Sequence, residues 1–541
     1  ILRYVQILAD DNDKNQKIIY KNGGNKMKKV ISAALILVMV LSLITGCSNG
    51  SSGNPEGGQA QNPDSSSPKE IKFASPVDVS SLDPRNATGT TTAQILAHIY
   101  SSLLKTDANG AIAKDLAESY ESVNDTTWKF KLKEGITFHD GSKLTSEDVK
   151  YTIDTIKDKD KKFKLASDFS FMTVNVIDEL NFEIVTDQPF AALPLRLTYV
   201  KIIPKAYVER VGDEEFAKNP VGSGPYKFVE RKKDEKVAME AYESYFGGKP
   251  AVGKVTYLII PEAAARIAAL EAGEVDIISN VETSQVERLK SADNLDVIGN
   301  PTTRVIFIGM NTLIDSPLKN VKVRQALNYA VDKDAIIKGV LDGYGTQIAT
   351  ISTPQYEGYD SSIAPYEYDP EKAKQLLTEA GYPNGFELNL SVTSGYLNGQ
   401  DVVQAIAAQL AEVGIKCTVR EADSNTQREQ IAAGTVDPLY MNGIGVPYSN
   451  IDLVTKLSFS TGERYSTYSN PDFDALRLKA AATVDKNEAA ELLSQLQQMA
   501  KDEAPAIFLY QQYGLYGYNK RVINWTPRVD EMIVVTDPDI H

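Results

Sequence analysis

Three histidines (His98, His139 and His541) and two cysteines (Cys47 and Cys417) are all the imidazoles and thiols in this chain. Metal binding or nucleophilic catalysis would need them at short, fixed spacings. No HExxH, CxxC or phosphate-binding P-loop occurs. The glycine-rich residues 222–226 (GSGPY) read as a tight turn entering a strand, not as a phosphate cradle. Acidic runs such as Asp213-Glu214-Glu215 read as a solvated helix face. A secreted glycan-acting enzyme working through two distant carboxylates stays open as a second reading. The expectation is a protein that is not an enzyme, with no cofactor and no metal.

The most specific chemical signal is instead a cysteine. Lys28 and Lys29 follow Met27, an apolar run covers residues 30–44, and Thr45-Gly46 precede Cys47. Such a run is shorter than the roughly 20 residues that span a bilayer, so residues 27–46 read as a signal peptide and 1–26 as an upstream extension. The segment Ile44-Thr45-Gly46-Cys47 resembles a bacterial lipobox, which implies lipidation of Cys47. Each buried acyl methylene contributes about 0.8 kcal/mol, so acyl chains suit the task of holding a soluble body at a membrane. Residues 47–69, rich in Ser, Gly, Asn and Pro, read as a flexible tether. The body is then expected at the cell surface, anchored to the outer face of the membrane.

These residues need elements to position them. The chain is too long for one compact core, and its formal net charge of −15 argues against nucleic acid as a partner. Residues 128–132 alternate at period two, as do 181–185 and 227–241, and residues 71–74 start a strand. A helix is expected over 91–104. Thr145 and Asp148 form a capping box for another. Val403, Ile406, Leu410 and Val413 share one helical face, Gly414 ends that helix, and Ile415, Cys417 and Val419 alternate as a strand. With the strand at 386–392 this is a βαβ crossover that faces Cys417 inward.

Eight segments occur in a telling order: SLDP (81–84), LAESYE (116–121), WKFKLKEGITFHDGSKLTSEDV (128–149), NPVGSGPYKF (219–228), RIAALEAGEVDI (266–277), VRQALNYAVDKDAII (323–337), YDPEKAKQLLTEAGYPNGFEL (368–388) and YSNPDFDAL (468–476). Together they resemble the peptide-type extracellular solute-binding proteins of ABC importers. The resemblance implies a bilobal α/β fold of the periplasmic-binding-protein kind (type II, enlarged peptide-binding form). It implies a large lobe from 70–300 with 504–541, an inserted subdomain at 104–219, and a second lobe at 301–503. The lobes would close as a hinged monomer on a small-molecule ligand, a peptide or another polar solute, and hand it to ABC permease subunits. A sensor or adhesion module on the same fold is the remaining alternative.

Within that resemblance two stretches correspond to pocket walls. One is the extended segment after SLDP, with Thr88, Gly89 and Thr90. The other holds Asn442, Ile444, Val446, Pro447 and Tyr448. Peptide binders of the family carry an aspartate for the ligand's ammonium where Pro447 stands, so another carboxylate, Asp452 or Asp437, must replace it or the ligand is no ordinary peptide. Tyr440 and Tyr448 suit stacking. His139 reads as a turn residue beside Asp140, His98 as a helix residue and no ligand, and Arg324 as a partner of Asp332 or Asp334 or a solvated side chain.

Overall fold

The computed structural model describes residues 69–87, 89–393, 396–445, 450–483, 485–536 and 539–540. Cys47 with its leader, nearly all of the tether, Thr88, and Val446, Pro447 and Tyr448 lie outside the described residues. Among the described residues no helix is long and apolar enough to cross a membrane.

Strand Glu70–Ser75 pairs in parallel with Lys254–Ile259 and Ile277–Ile278. Lys236–Ala241 and Tyr226–Lys232 extend that sheet antiparallel. Alternate residues fill separate cores on its two faces: Phe73, Tyr257 and Met239 on one side, Ala74 and Ile278 on the other. Two long strands, Leu295–Met310 and Ala506–Asn519, then carry the sheet into the second lobe. The run Val305 to Met310 is apolar at nearly every position because both faces are covered. Val305 and Phe307 face one core, Ile306, Ile308 and Met310 the other.

Leu439–Ile444, Phe386–Thr393 and Ile415–Ala422 complete the second lobe's sheet. The last two are parallel and joined by helix Gly399–Glu412, which buries Val403, Ile406 and Leu410. Gly414, at φ 91°, lets the chain leave that helix in a conformation that a side chain would strain. Cys417 packs partly buried against this core, and burial pushes its thiol up to about 11.

The insertion has its own four-stranded antiparallel sheet and a core running from Leu103 to Ile202. The Thr145–Asp148 capping box is present, and Asp140 accepts from the Ser142 amide at 3.0 Å inside its turn. His139 accepts the Gly222 amide at Nδ1 (3.3 Å), so its Nε2–H donates to the Gly224 carbonyl (2.9 Å). Any Cβ at Gly222 would lie 2.1 Å from the Ile99 carbonyl oxygen. The GSG residues thus permit backbone-to-backbone packing beneath helix Thr90–Ile99.

Several expectations shift. The helix expected to reach 104 stops at Ile99; Tyr100 is extended, and Leu104–Thr106 pairs instead with Ile112–Lys114. Asp213 is not merely solvated: it accepts from the buried Arg85 (2.8 Å) and from Lys161 (2.7 Å). Arg324 pairs with neither Asp332 nor Asp334 but with the Glu503 carboxylate (3.0 Å) and the Glu503 and Leu318 carbonyls. Residues 506–510 pack into the second lobe's cores. Val208 and Phe216, from the helices that close the insertion, pack into the large lobe's core.

Candidate functional site

The long strands lose their register where they pass between lobes. Pro301 pairs with Tyr513 and Val305 with Gln511, leaving Thr302, Thr303 and Arg304 outside the ladder. Local bonds replace it: the Thr302 hydroxyl donates to the Gln512 carbonyl (2.8 Å), the Gln511 side chain through Nε2 to the Thr302 carbonyl (2.7 Å), and the Thr303 backbone amide to the Val529 carbonyl (2.7 Å). A bulge of this kind re-aims a side chain. Here it delivers Arg304 to a cleft of about 960 Å³.

Arg304 donates to Glu531 through Nε (2.9 Å) and Nη2 (2.6 Å). The Glu531 carboxylate raises the guanidinium's pKa above its ordinary value, outweighing burial. This bidentate pair forms the cleft's floor.

The large lobe's wall is set by the SLDP turn. Asp83 accepts the Arg85 amide, Nε and Nη2, and Arg85 lies fully buried over the Phe163 ring at 4.2 Å. The chain then reaches Gly89, whose φ of 84° starts helix Thr90–Ile99. Thr92 Oγ1 accepts the Ser80 amide (2.9 Å), fixing the first turn. Among the described residues that turn has no side-chain cap and no acidic residue, and its N–H groups and positive dipole end lie beside the cleft. Arg266 braces the neighbouring wall by donating to the Ile260, Pro261, Ser279 and Asn280 carbonyls.

The second lobe contributes Tyr396, Asn398, Asp401 and Arg428. Tyr396 donates to Asn442 Oδ1 (3.2 Å) and accepts the Gly443 amide (3.0 Å). A Cβ at Gly443 would meet the Tyr396 ring at 2.7 Å, so only glycine leaves room for it. Asn398 spans the lobes by donating to Thr283 Oγ1 at 3.4 Å. Glu282, Asp401 and Arg428 are exposed in the walls, and their side chains make no hydrogen bond or ion pair with described residues.

Of the residues expected from sequence, Gly89 and Thr90 line the cleft, while Asn442 stands behind it, holding Tyr396. Ile444 is buried core, paired with Val305. Tyr440 is also buried, bonded to Thr467 at 2.8 Å, and is not a stacking platform. Asp452 is committed to Arg477 (2.7 Å) and Asp437 lies 3.6 Å from Arg420. Arg304, Tyr396, Arg428, Glu282, Asp401 and Glu531 were missed. The polar Thr302-Thr303-Arg304 directly before the apolar run 305–310 was the signal available for Arg304.

Two α/β lobes around a polar cleft, joined where paired strands cross, define a protein of the periplasmic-binding class. Residues 111–466 match the model for bacterial extracellular solute-binding proteins, family 5 Middle, and the chain belongs to that family. It is 30% identical over 476 residues to the glutathione-binding protein GsiB of Pectobacterium atrosepticum, covering 85% of this chain and 92% of the relative. The substrate-binding protein CtaP from Listeria monocytogenes has a similar structure, with 26% identity, a TM-score of 0.81, and 87% and 99% of the two chains covered. For DppA from Helicobacter pylori in complex with the peptide STSA, identity is 25%, the TM-score 0.76 and coverage 87% and 98%. As a family member, the chain captures a small solute and delivers it to an ABC importer.

Proposed function

We propose that this protein is a monomeric, lipid-anchored clamp whose lobes close on a small zwitterionic, peptide-like solute and release it unchanged. The carrying observation is the cleft's free charge of both signs. Arg428 and the open N-terminus of helix Thr90–Ile99 complement a carboxylate, and Glu282 and Asp401 complement an ammonium. The resemblance puts Pro447 at the position of the peptide binders' aspartate, and Asp452 and Asp437 lie beside their own arginines, so among the described residues Glu282 and Asp401 are the cleft carboxylates free to take the ammonium. A glutathione-binding relative and a structural neighbour holding a peptide support the same solute class.

The lobes divide near 301–305 and 511–513, and rotation there changes the cleft's width. Closure strips water from the wall charges, a penalty that only a complementary guest offsets. Cys47 carries the anchor, and the residues up to 69 form the tether.

Mass spectrometry of compounds released from protein purified from its native host, followed by calorimetric titration, tests this reading. The expected guest bears both a carboxylate and an amine, binds one per chain, and is recovered intact. A guest without ionised groups, or one consumed on incubation, overturns it. Cys47→Ala should move the protein from the membrane fraction into the soluble one.

A further inference from the structure

The large lobe contains a second recess, of about 440 Å³, that shares no wall residue with the cleft. It runs along a side face of helix Thr90–Ile99, where Ala93 and Ala97, one turn apart, leave room. The C-terminal segment closes the other side with Trp525 and Arg528. The volume lies within the range that holds a small organic molecule.

Its polar groups are uneven. Lys201 lines the recess, and among the described residues its ammonium donates only to Ser102 Oγ, at 3.0 Å. The nearby carboxylates are all committed: Asp107, also in the wall, accepts the Asn109 amide at 2.8 Å and the Ala111 amide at 2.9 Å. Asp115 accepts the Ser102 amide at 3.0 Å and lies 3.7 Å from Lys105, while Asp530 is held by Nε and Nη2 of Arg528. Lys201 is half-buried, and an ammonium there without a carboxylate partner is a charge that a guest's carboxylate can match. Burial, with Arg528 and Lys105 nearby, lowers the Lys201 pKa to about 8, against the opposing pull of Asp115 and Asp530.

We propose that this recess is a second binding site, separate from the transported solute's cleft, for a small monocarboxylate with a ring-sized apolar body. The carboxylate sits against Lys201 Nζ and the body against Ala93, Ala97 and the Trp525 ring. Neither the cleft's charges nor lobe closure enters the argument, so the site stands or falls independently of the clamp.

Trp128 and Trp525 are the chain's two tryptophans, so Trp128→Phe leaves Trp525 as a local fluorophore. The probe is 3-phenylpropionate, with 3-phenylpropionamide as its neutral counterpart, titrated at pH 7. The acid should change Trp525 emission saturably, with at least tenfold tighter binding than the amide. That preference should fade as pH rises through about 8 and Lys201 loses its proton. Adding Lys201→Met should reduce the acid to the amide's affinity. No saturable response, equal affinity for acid and amide, or an unchanged preference in Lys201→Met would each overturn the proposal. If Lys201→Met fails to fold, judged by circular dichroism, the acid–amide comparison in Trp128→Phe decides alone.

Discussion

The floor of the cleft and its walls handle charge in opposite ways. On the floor, Arg304 and Glu531 satisfy each other at 2.6 and 2.9 Å, and the backbone groups around them are bonded in turn. On the walls, Glu282, Asp401 and Arg428 are left to solvent. A pair that is already complete offers a guest little and fixes geometry; a charge without a partner can be matched by a guest and so can discriminate among guests. The floor therefore holds the strand crossing in shape, and the walls choose what the lobes close upon.

The largest expected effect breaks the floor. Arg304→Met strands the Glu531 carboxylate and should lower unfolding stability by about 3 kcal/mol, measured by urea titration, with much of it recovered in Arg304→Met/Glu531→Gln. A double variant no more stable than the single one would show that the pair does not set the floor's stability.

The second effect is pH-dependent and acts on the segment that carries Glu531. The Ile533 and Val535 amides donate to Gln94 Oε1 and His98 Nε2, tying that segment to helix Thr90–Ile99. Complete burial lowers the His98 pKa from 6.5 to about 4. Because the folded value is the lower one, the unfolded chain takes up protons first on acidification. This stability is fully present above pH 6.5 and is lost as pH falls towards 4, amounting to about 2 kcal/mol by pH 5. His139, also lowered to about 4 by burial, adds in the same direction. Urea midpoints from pH 7 to pH 5 test this, and His98→Gln should flatten the slope.

The wall behaves otherwise. Arg428→Ala should leave stability within about 0.5 kcal/mol. Calorimetry with the native solute should show roughly tenfold weaker binding, about 1.4 kcal/mol, and less salt dependence. Unchanged affinity would remove Arg428 from the recognition scheme.

What the sequence disclosed follows the same division between local and distant partners. The Thr145 capping box, the Gly414 stop and the 386–422 crossover could be read because each is settled within a few residues or by a simple period. The Arg324–Glu503 pair, 179 residues apart, could not, nor could the burial of Tyr440 against Thr467. GSGPY was legible as a turn, but the reason for its glycines lies in the Ile99 carbonyl, far away in sequence. Of the residues the family pattern suggests for the pocket walls, Gly89 and Thr90 line the cleft. Asn442 stands behind Tyr396, which lines the cleft and arrives from a loop after another strand.

The smallest effect refines the contrast between floor and walls. Asp401 lies in the first turn of helix Gly399–Glu412, where a carboxylate complements the helix dipole, and it is also one of the two free wall carboxylates. Asp401→Asn removes both interactions. The dipole contribution, a few tenths of a kcal/mol at an exposed position, should appear in the urea midpoint whether or not solute is present. Loss of ammonium recognition should appear only as a few-fold weaker affinity for the amine-bearing solute, with no change for its N-acetylated form. If both forms weaken equally, Asp401 serves the helix alone, and Glu282 is left as the wall's ammonium partner.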